Sequence, residues 1–169
     1  MFNIVLLEPE IALNTGNIGR TCSVTGARLH LIRPLGFRVS EKEIKRAGLD
    51  YWESLAPAIY DDLDDFFDKN PEASDHCFFA STKAVNTYAD VEYKPRDYIM
   101  FGKESAGIPE EILTKNKEKC IRIPMLQDKR SLNLSNSAAI ILFEALRQNG
   151  FGELEKKGRL HRLEWDDPG

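Results

Sequence analysis

Three short stretches of this sequence are apolar at almost every position: Phe2–Leu7, Cys77–Ala80 and Tyr98–Phe101. They are too brief for helices, and they do not alternate with polar residues. Strands of this kind are buried on both faces, as in a sheet with helices above and below it. Segments with helical signals lie between them. The order strand, helix, strand, helix therefore predicts an α/β fold with a mostly parallel sheet flanked by helices. Further strands are expected at Arg28–Ile32, Ala58–Tyr60 and Cys120–Ile123, the last closed by Pro124, which lacks a backbone donor.

The helices follow from caps and periodicity. Asn14 or Thr15 is suited to cap a helix reaching about Thr25, with Gly26 as its stop. Ser40-Glu41-Lys42-Glu43 forms a capping box for a short helix ending near Gly48. Leu63–Lys69 reads as an acidic helix closed by Pro71, and Pro109 suits the first turn of a helix through Leu113. Ala138, Ile141, Leu142, Ala145 and Leu146 share one face of a final helix. Asn133 or Ser135 can cap it, and Gly150 sits where a left-handed residue would end it. No internal repeat or linker appears, so residues 1–169 are read as one domain. The tail after about residue 155 is expected to be mobile at its tip.

Several classes of function are disfavoured. No apolar run approaches the roughly twenty residues of a membrane span, and the N-terminus resembles a first strand rather than a signal peptide. Cys22, Cys77 and Cys120 are isolated, and the three histidines lack ligand spacing, so no metal site is expected. The expected compartment is the cytoplasm. A net charge of −4 argues against bulk attraction to nucleic acid but leaves local basic groups in play. These are Arg38, Lys42, Lys45 and Arg46; Lys129 and Arg130; and Lys156, Lys157, Arg159 and Arg162. Gly16-x-x-Gly19 is only half of a dinucleotide fingerprint, and no Walker sequence is present, so a kinase, ATPase or ordinary Rossmann dehydrogenase is disfavoured. Close helix packing accounts for those two glycines equally well.

Three polar, glycine- or amide-rich loops follow strands: after Leu7, after Phe101 and after Ile123. Ligands in open α/β sheets sit off the carboxyl ends of strands, so the three loops are expected to share one crevice. Gly102-x-Glu104-x-x-Gly107 places a carboxylate in a glycine loop, where a ligand can approach the backbone closely. Ser131-Leu132-Asn133-Leu134-Ser135 leads into a helix N-terminus, which suits a ligand rich in acceptors. A plain turn and a plain capping segment satisfy the same two patterns.

Taken together, N-T-G-N-I-G-R at Asn14–Arg20, F-G-K-E-S-A-G-I-P at Phe101–Pro109, I-R-I-P-M at Ile121–Met125 and S-L-N-L-S-N-S-A at Ser131–Ala138 resemble the three motifs of the SPOUT methyltransferase superfamily. The resemblance is to its TrmH-like branch, the RNA ribose 2′-O-methyltransferases. No added RNA-binding domain is visible. With E-P-E-I at Glu8–Ile11 and R-A-G-L-D-Y at Arg46–Tyr51, the chain is similar to minimal members acting on the tRNA wobble nucleotide, cytidine or uridine at position 34.

The resemblance implies a deep C-terminal trefoil knot, bound S-adenosylmethionine without a metal, a tRNA substrate and a homodimer with sites shared between subunits. It carries cofactor-binding roles onto Ala80, Gly102, Ile123, Ser131 and Leu132, and catalytic roles onto Asn14, Arg20, Glu104, Ser131 and Asn133. Arg20 is placed at the ribose 2′-OH. An ordinary arginine stays protonated, so Arg20 acts either as a base in an unusual environment or as a stabiliser of oxyanion charge. One departure is Ala84, where relatives often have glycine. The rival readings are a ribosomal-RNA enzyme of the same fold and a non-catalytic module that binds RNA or S-adenosylmethionine.

Overall fold

The computed structural model describes residues 1–38 and 52–165. The capping-box helix expected from Ser40 and the Arg46–Tyr51 motif fall outside these residues. The chain runs through β1 (Asn3–Leu7), α1 (Ala12–Thr25), β2 (Arg28–Ile32), α2 (Trp52–Leu55), β3 (Ala58–Tyr60), α3 (Leu63–Lys69), α4 (Ala73–His76) and β4 (Cys77–Ala80). It continues through β5 (Asn86–Thr87), β6 (Tyr98–Phe101), α5 (Glu110–Lys115), a single 3-10 turn (Lys117–Lys119), β7 (Cys120–Arg122) and α6 (Leu134–Gln148).

The strands form one sheet in the order β3-β2-β1-β6-β4-β7-β5, and every pairing is parallel. Side chains alternate across it. Ile4, Leu6, Leu29, Leu31, Ile99, Phe101 and Ile121 meet α1, α2 and α6 on one face. Val5, Leu7, Ile32, Phe79, Met100 and Cys120 meet α3, α4 and α5 on the other. Burial on both faces explains why these strands lack polar alternation. From β1 the chain builds outward through β2 and β3, then returns to the opposite side of β1 with β6. The reversal leaves a crevice at the carboxyl ends of β1, β6, β4 and β7.

The predicted strands form where expected, except that β1 starts at Asn3 rather than Phe2 and β7 ends at Arg122 rather than Ile123. Helix α5 extends two residues past Leu113. Short α2, α4 and β5 carry too few residues for a periodic signal. Asn133 caps α6, accepting from the N–H groups of Ser135 and Asn136, and Gly150 takes the expected left-handed φ of 65°. Helix α1 differs from expectation. It starts at Ala12, its N-cap position is Ile11, and neither Asn14 nor Thr15 caps it. Gly19 is a packing glycine: a Cβ there would meet Trp52 and Leu55 side chains at 3.1 Å.

Candidate active site

A cleft of about 640 Å³ opens at the carboxyl ends of the central strands. Its walls come from the three predicted loops, joined by a fourth at Ser81–Lys83 after β4. Ala80, Gly102, Ile123, Ser131 and Leu132 all line it, as do Asn14, Glu104 and Asn133. The expected convergence of loops is therefore observed.

The loop after β6 is a tight reversal. The Gly107 N–H donates to the Lys103 carbonyl at 2.8 Å, and Gly107 has a φ of 71°. Gly102 lies so close beneath it that a Cβ would come within 2.1 Å of the Gly107 carbonyl carbon. The first glycine is thus required by contact and the second by backbone conformation.

This loop docks onto the one that follows β1. The Lys103 ammonium pairs with Glu8 at 2.8 Å. The Ser105 N–H and hydroxyl each donate to the Glu10 carboxylate at 2.8 Å. Those Ser105 hydrogen bonds hold the Glu10 carboxyl below the usual range, helped by the charge of Lys103. Glu8, in turn, raises Lys103 above the usual lysine value. Glu8 itself has a φ of 51°, an uncommon conformation for a residue with a side chain, and it turns the chain sharply off the strand.

Glu104 links the two loops to α1. Its carboxylate accepts from the Glu10 N–H at 2.8 Å, the Ile11 N–H at 3.3 Å and the Asn14 side-chain amide at 3.0 Å. The start of α1 therefore receives its acceptor from a residue more than ninety positions away, which leaves Asn14 uncommitted as a local cap. Asn14 is buried, and its carbonyl oxygen accepts from the Asn133 amide at 3.0 Å. The Asn133 oxygen accepts in turn from the first N–H groups of α6 and from the Ser135 hydroxyl. Three sequence motifs thus form one directional relay. Glu104 can only accept, the α6 N–H groups can only donate, and the two amides between them must each point one way.

Arg20 stands apart from this relay. It is exposed on α1 and is not among the cleft-lining residues. Six residues past Asn14, it lies about 9 Å further along the helix axis and points to a different side. The structure brings eight of the nine predicted site residues to one cleft and leaves Arg20 outside it. Sequence reasoning missed the docking roles of Glu8, Glu10 and Lys103, because isolated charges carry no spacing signal when their partners lie 95 residues away. It also missed Arg122, which lines the cleft and has a buried Nε without a hydrogen-bond partner. Ala84 causes no strain: its φ is negative, and its N–H closes a turn onto the Ser81 carbonyl.

The donor set suits a polar organic ligand. Strand-end backbone groups, the Ser131 hydroxyl and the unsatisfied Arg122 Nε are available in a cleft of ordinary cofactor size. Among the described residues, no group of three or more His, Cys, Asp or Glu side chains is placed to hold a metal, and no helix is long and apolar enough to cross a membrane.

Comparison with known proteins gives a consistent result. The model for the SpoU rRNA Methylase family matches residues 1–143. The tRNA (cytidine(34)-2′-O)-methyltransferase of Escherichia coli K12 is 46% identical over 153 residues, covering 89% of this chain and 96% of its own. A solved structure described as "Structural insights into the 2-OH methylation of C/U34 on tRNA" superimposes with a TM-score of 0.81 at 38% identity, covering 89% of this chain and 97% of that one. The AdoMet-bound rRNA methyltransferase of Sinorhizobium meliloti superimposes with a TM-score of 0.72 at 27% identity, covering 86% of this chain and 56% of that one.

Proposed function

From the premise that this chain belongs to the SpoU methylase family, we propose that it is an S-adenosylmethionine-dependent tRNA ribose 2′-O-methyltransferase acting on the wobble cytidine or uridine. The observation that carries this reading is the Glu104–Asn14–Asn133 relay, which ties all three motifs together at the mouth of one cleft. A module needing only to bind RNA would have little use for a relay with fixed polarity on both amides. The near full-length match to wobble-nucleotide enzymes favours tRNA over ribosomal RNA.

S-adenosylmethionine, when bound, supplies a methyl group already activated on a sulfonium. The chain's own residues hold and orient. Backbone groups at Ala80, Gly102 and Ile123, the Ser131 hydroxyl and the Leu132 side chain, all lining the cleft, would hold the cofactor. The relay keeps the Glu104 and Ser131 loops in register, so an incoming ribose meets a prearranged site rather than one ordered at the moment of reaction. Arg20 would supply a guanidinium for the 2′-oxygen, stabilising the negative charge that develops there as the hydroxyl proton passes to solvent water.

Because Arg20 lies outside its own cleft, the reading includes a homodimer in which Arg20 of one subunit serves the cleft of the other. Exposed apolar side chains support such a pairing: Leu13 on α1 and Ile140 and Phe143 on α6, two helices packed side by side. The proposal also includes the C-terminal trefoil knot, supported by the match to the SpoU methylase family. It places the enzyme in the cytoplasm, supported by three buried free cysteines. The test is methyl transfer from labelled S-adenosylmethionine to unmodified tRNA in the presence of a chelator, followed by mapping of the product. Label on the 2′-oxygen of nucleotide 34 is expected. Label on a base, or only on ribosomal RNA, refutes the reading.

A further inference from the structure

The family match ends at residue 143, yet the chain continues for another 26 residues. The base of this continuation is held firmly. The Gln148 and Asn149 side chains donate to the carbonyls of Val91 and Tyr93, and the Tyr93 N–H donates back to Gln148. Gly150, Phe151 and Gly152 then take left-handed φ values in succession and turn the chain off the helix. Beyond residue 154 the contacts stop. Among the described residues, 155–165 make no hydrogen bond, ion pair or ring contact, have no regular secondary structure and are exposed throughout.

The composition of that segment is unlike the rest of the chain. Lys156, Lys157, Arg159 and Arg162 stand within seven residues, with His161 among them, in a chain of net charge −4. Glu153, Glu155 and Glu164 are close in sequence, yet none pairs with these cations. Leu163 and Trp165 are 75% and 70% exposed, whereas the chain's other tryptophan, Trp52, is 8% exposed. A tryptophan exposed to this degree contributes nothing to the core. Cations interleaved with an exposed aromatic ring match the chemistry of a nucleic-acid strand, with phosphates for the charges and a base face for the indole.

We propose that residues 156–165 form a second RNA-binding element, which grips the tRNA backbone and stacks one unpaired base on Trp165. The proposal rests on the tRNA methyltransferase reading and adds a surface to it. The element leaves α6 at the end opposite Asn133. Helix α6 lines the cleft as far as Ile141, and seven further residues, about 10 Å of helix, carry the chain to the end of α6 at Gln148. The proposal gives the tail a role in affinity for RNA and none in methyl transfer, since it adds no residue to the lining of the cleft. A clasp onto the partner subunit is the rival occupant. Charge favours RNA, since a protein surface of acidic average charge offers fewer anions in sequence than a phosphate backbone does.

The experiment compares three full-length proteins: wild type, the fourfold variant Lys156→Gln/Lys157→Gln/Arg159→Gln/Arg162→Gln, and Trp165→Ala. Each is measured for KM and kcat with tRNA, for S-adenosylmethionine affinity by calorimetry, and for tRNA affinity across a salt series. The fourfold variant is expected to raise KM for tRNA about tenfold or more at low salt. Its salt dependence should flatten by roughly three in log–log slope, as four lost phosphate contacts require. Its kcat and cofactor affinity should stay within about twofold of wild type. Trp165→Ala should weaken tRNA binding at least about fivefold, with the salt slope unchanged. In addition, tRNA should quench the exposed Trp165 emission of the wild type. Unchanged KM and salt slope in the fourfold variant overturn the inference. So does dissociation of the dimer in sedimentation, which would assign the tail to the partner subunit. If the wild-type protein methylates no tRNA, the failure belongs to the functional reading instead.

Discussion

Replacing Glu104 with glutamine tests the relay directly. The substitution keeps size and shape but turns one acceptor oxygen into a donor. At the position of Oε2, the retained oxygen still accepts from the Glu10 N–H. At the position of Oε1, an NH₂ group now faces the Asn14 amide and the Ile11 N–H, both donors. Flipping Asn14 only moves the conflict to its contact with Asn133, and flipping Asn133 moves it to the α6 N–H groups. One donor is therefore left unpaired wherever the chain places the fault. An unsatisfied donor in a partly buried site costs about 1–3 kcal/mol, so a loss of about 2 kcal/mol is expected. For a chain of this size that lowers Tm by about 4–8 °C. Asn14→Asp alone should cost more at neutral pH, since it sets two carboxylates about 3 Å apart, and part of that cost should vanish near pH 4 as one takes up a proton. The double variant Asn14→Asp/Glu104→Gln restores donor against acceptor at every link except the long Ile11 contact. It should be more stable than the sum of the singles by at least about 2 kcal/mol. Urea unfolding at fixed protein concentration measures all four proteins. If Glu104→Gln is neutral, or if the two changes add, the relay has no fixed polarity and the argument fails.

Three further predictions follow from other parts of the structure. His30 is buried, with Tyr60 and Asn3 on its ring nitrogens, and burial with the nearby charge of Arg28 lowers its pKa from 6.5 to about 4. The unfolded chain then binds the extra proton, so this contribution is complete above pH 6.5 and is lost as pH falls toward 4. It amounts to about 3 kcal/mol; a His30→Gln variant should show a shallower stability decline over that window, and an equal decline would contradict the assignment. Gly102→Ala should lift the Gly107 turn, lowering cofactor affinity by calorimetry as well as Tm; normal affinity would show that the loop yields without cost. Arg20→Ala should abolish methyl transfer with cofactor affinity within a few-fold, while Ser131→Ala should weaken cofactor binding modestly, as loss of one neutral hydrogen bond does. Mixed dimers of the two should recover up to half of wild-type activity, and no recovery from proven heterodimers would place both residues in the same subunit's site.

The sequence alone was enough to read six of the seven described strands, the helix Leu63–Lys69 and the end of α6. Phe2–Leu7 and Tyr98–Phe101 could be read because burial on both faces removes polar alternation, and this mark is local. Asn133 and Gly150 could be read for the same reason: a cap and a left-handed stop act on neighbours within four residues. The Gly102–Gly107 loop stood out by composition, although not the 2.1 Å clash that makes its first glycine necessary. The structure alone decided how α1 begins. Asn14 has the chemistry of a local cap, but Glu104 satisfies the helix terminus from across the cleft and turns Asn14 toward Asn133. Glu8 and Glu10 remained silent in sequence because the value of a charge depends on what folding brings beside it, and Lys103 and Ser105 come from 95 residues away. Local preference determines each element, whereas the site depends on which strand ends the crossovers set side by side.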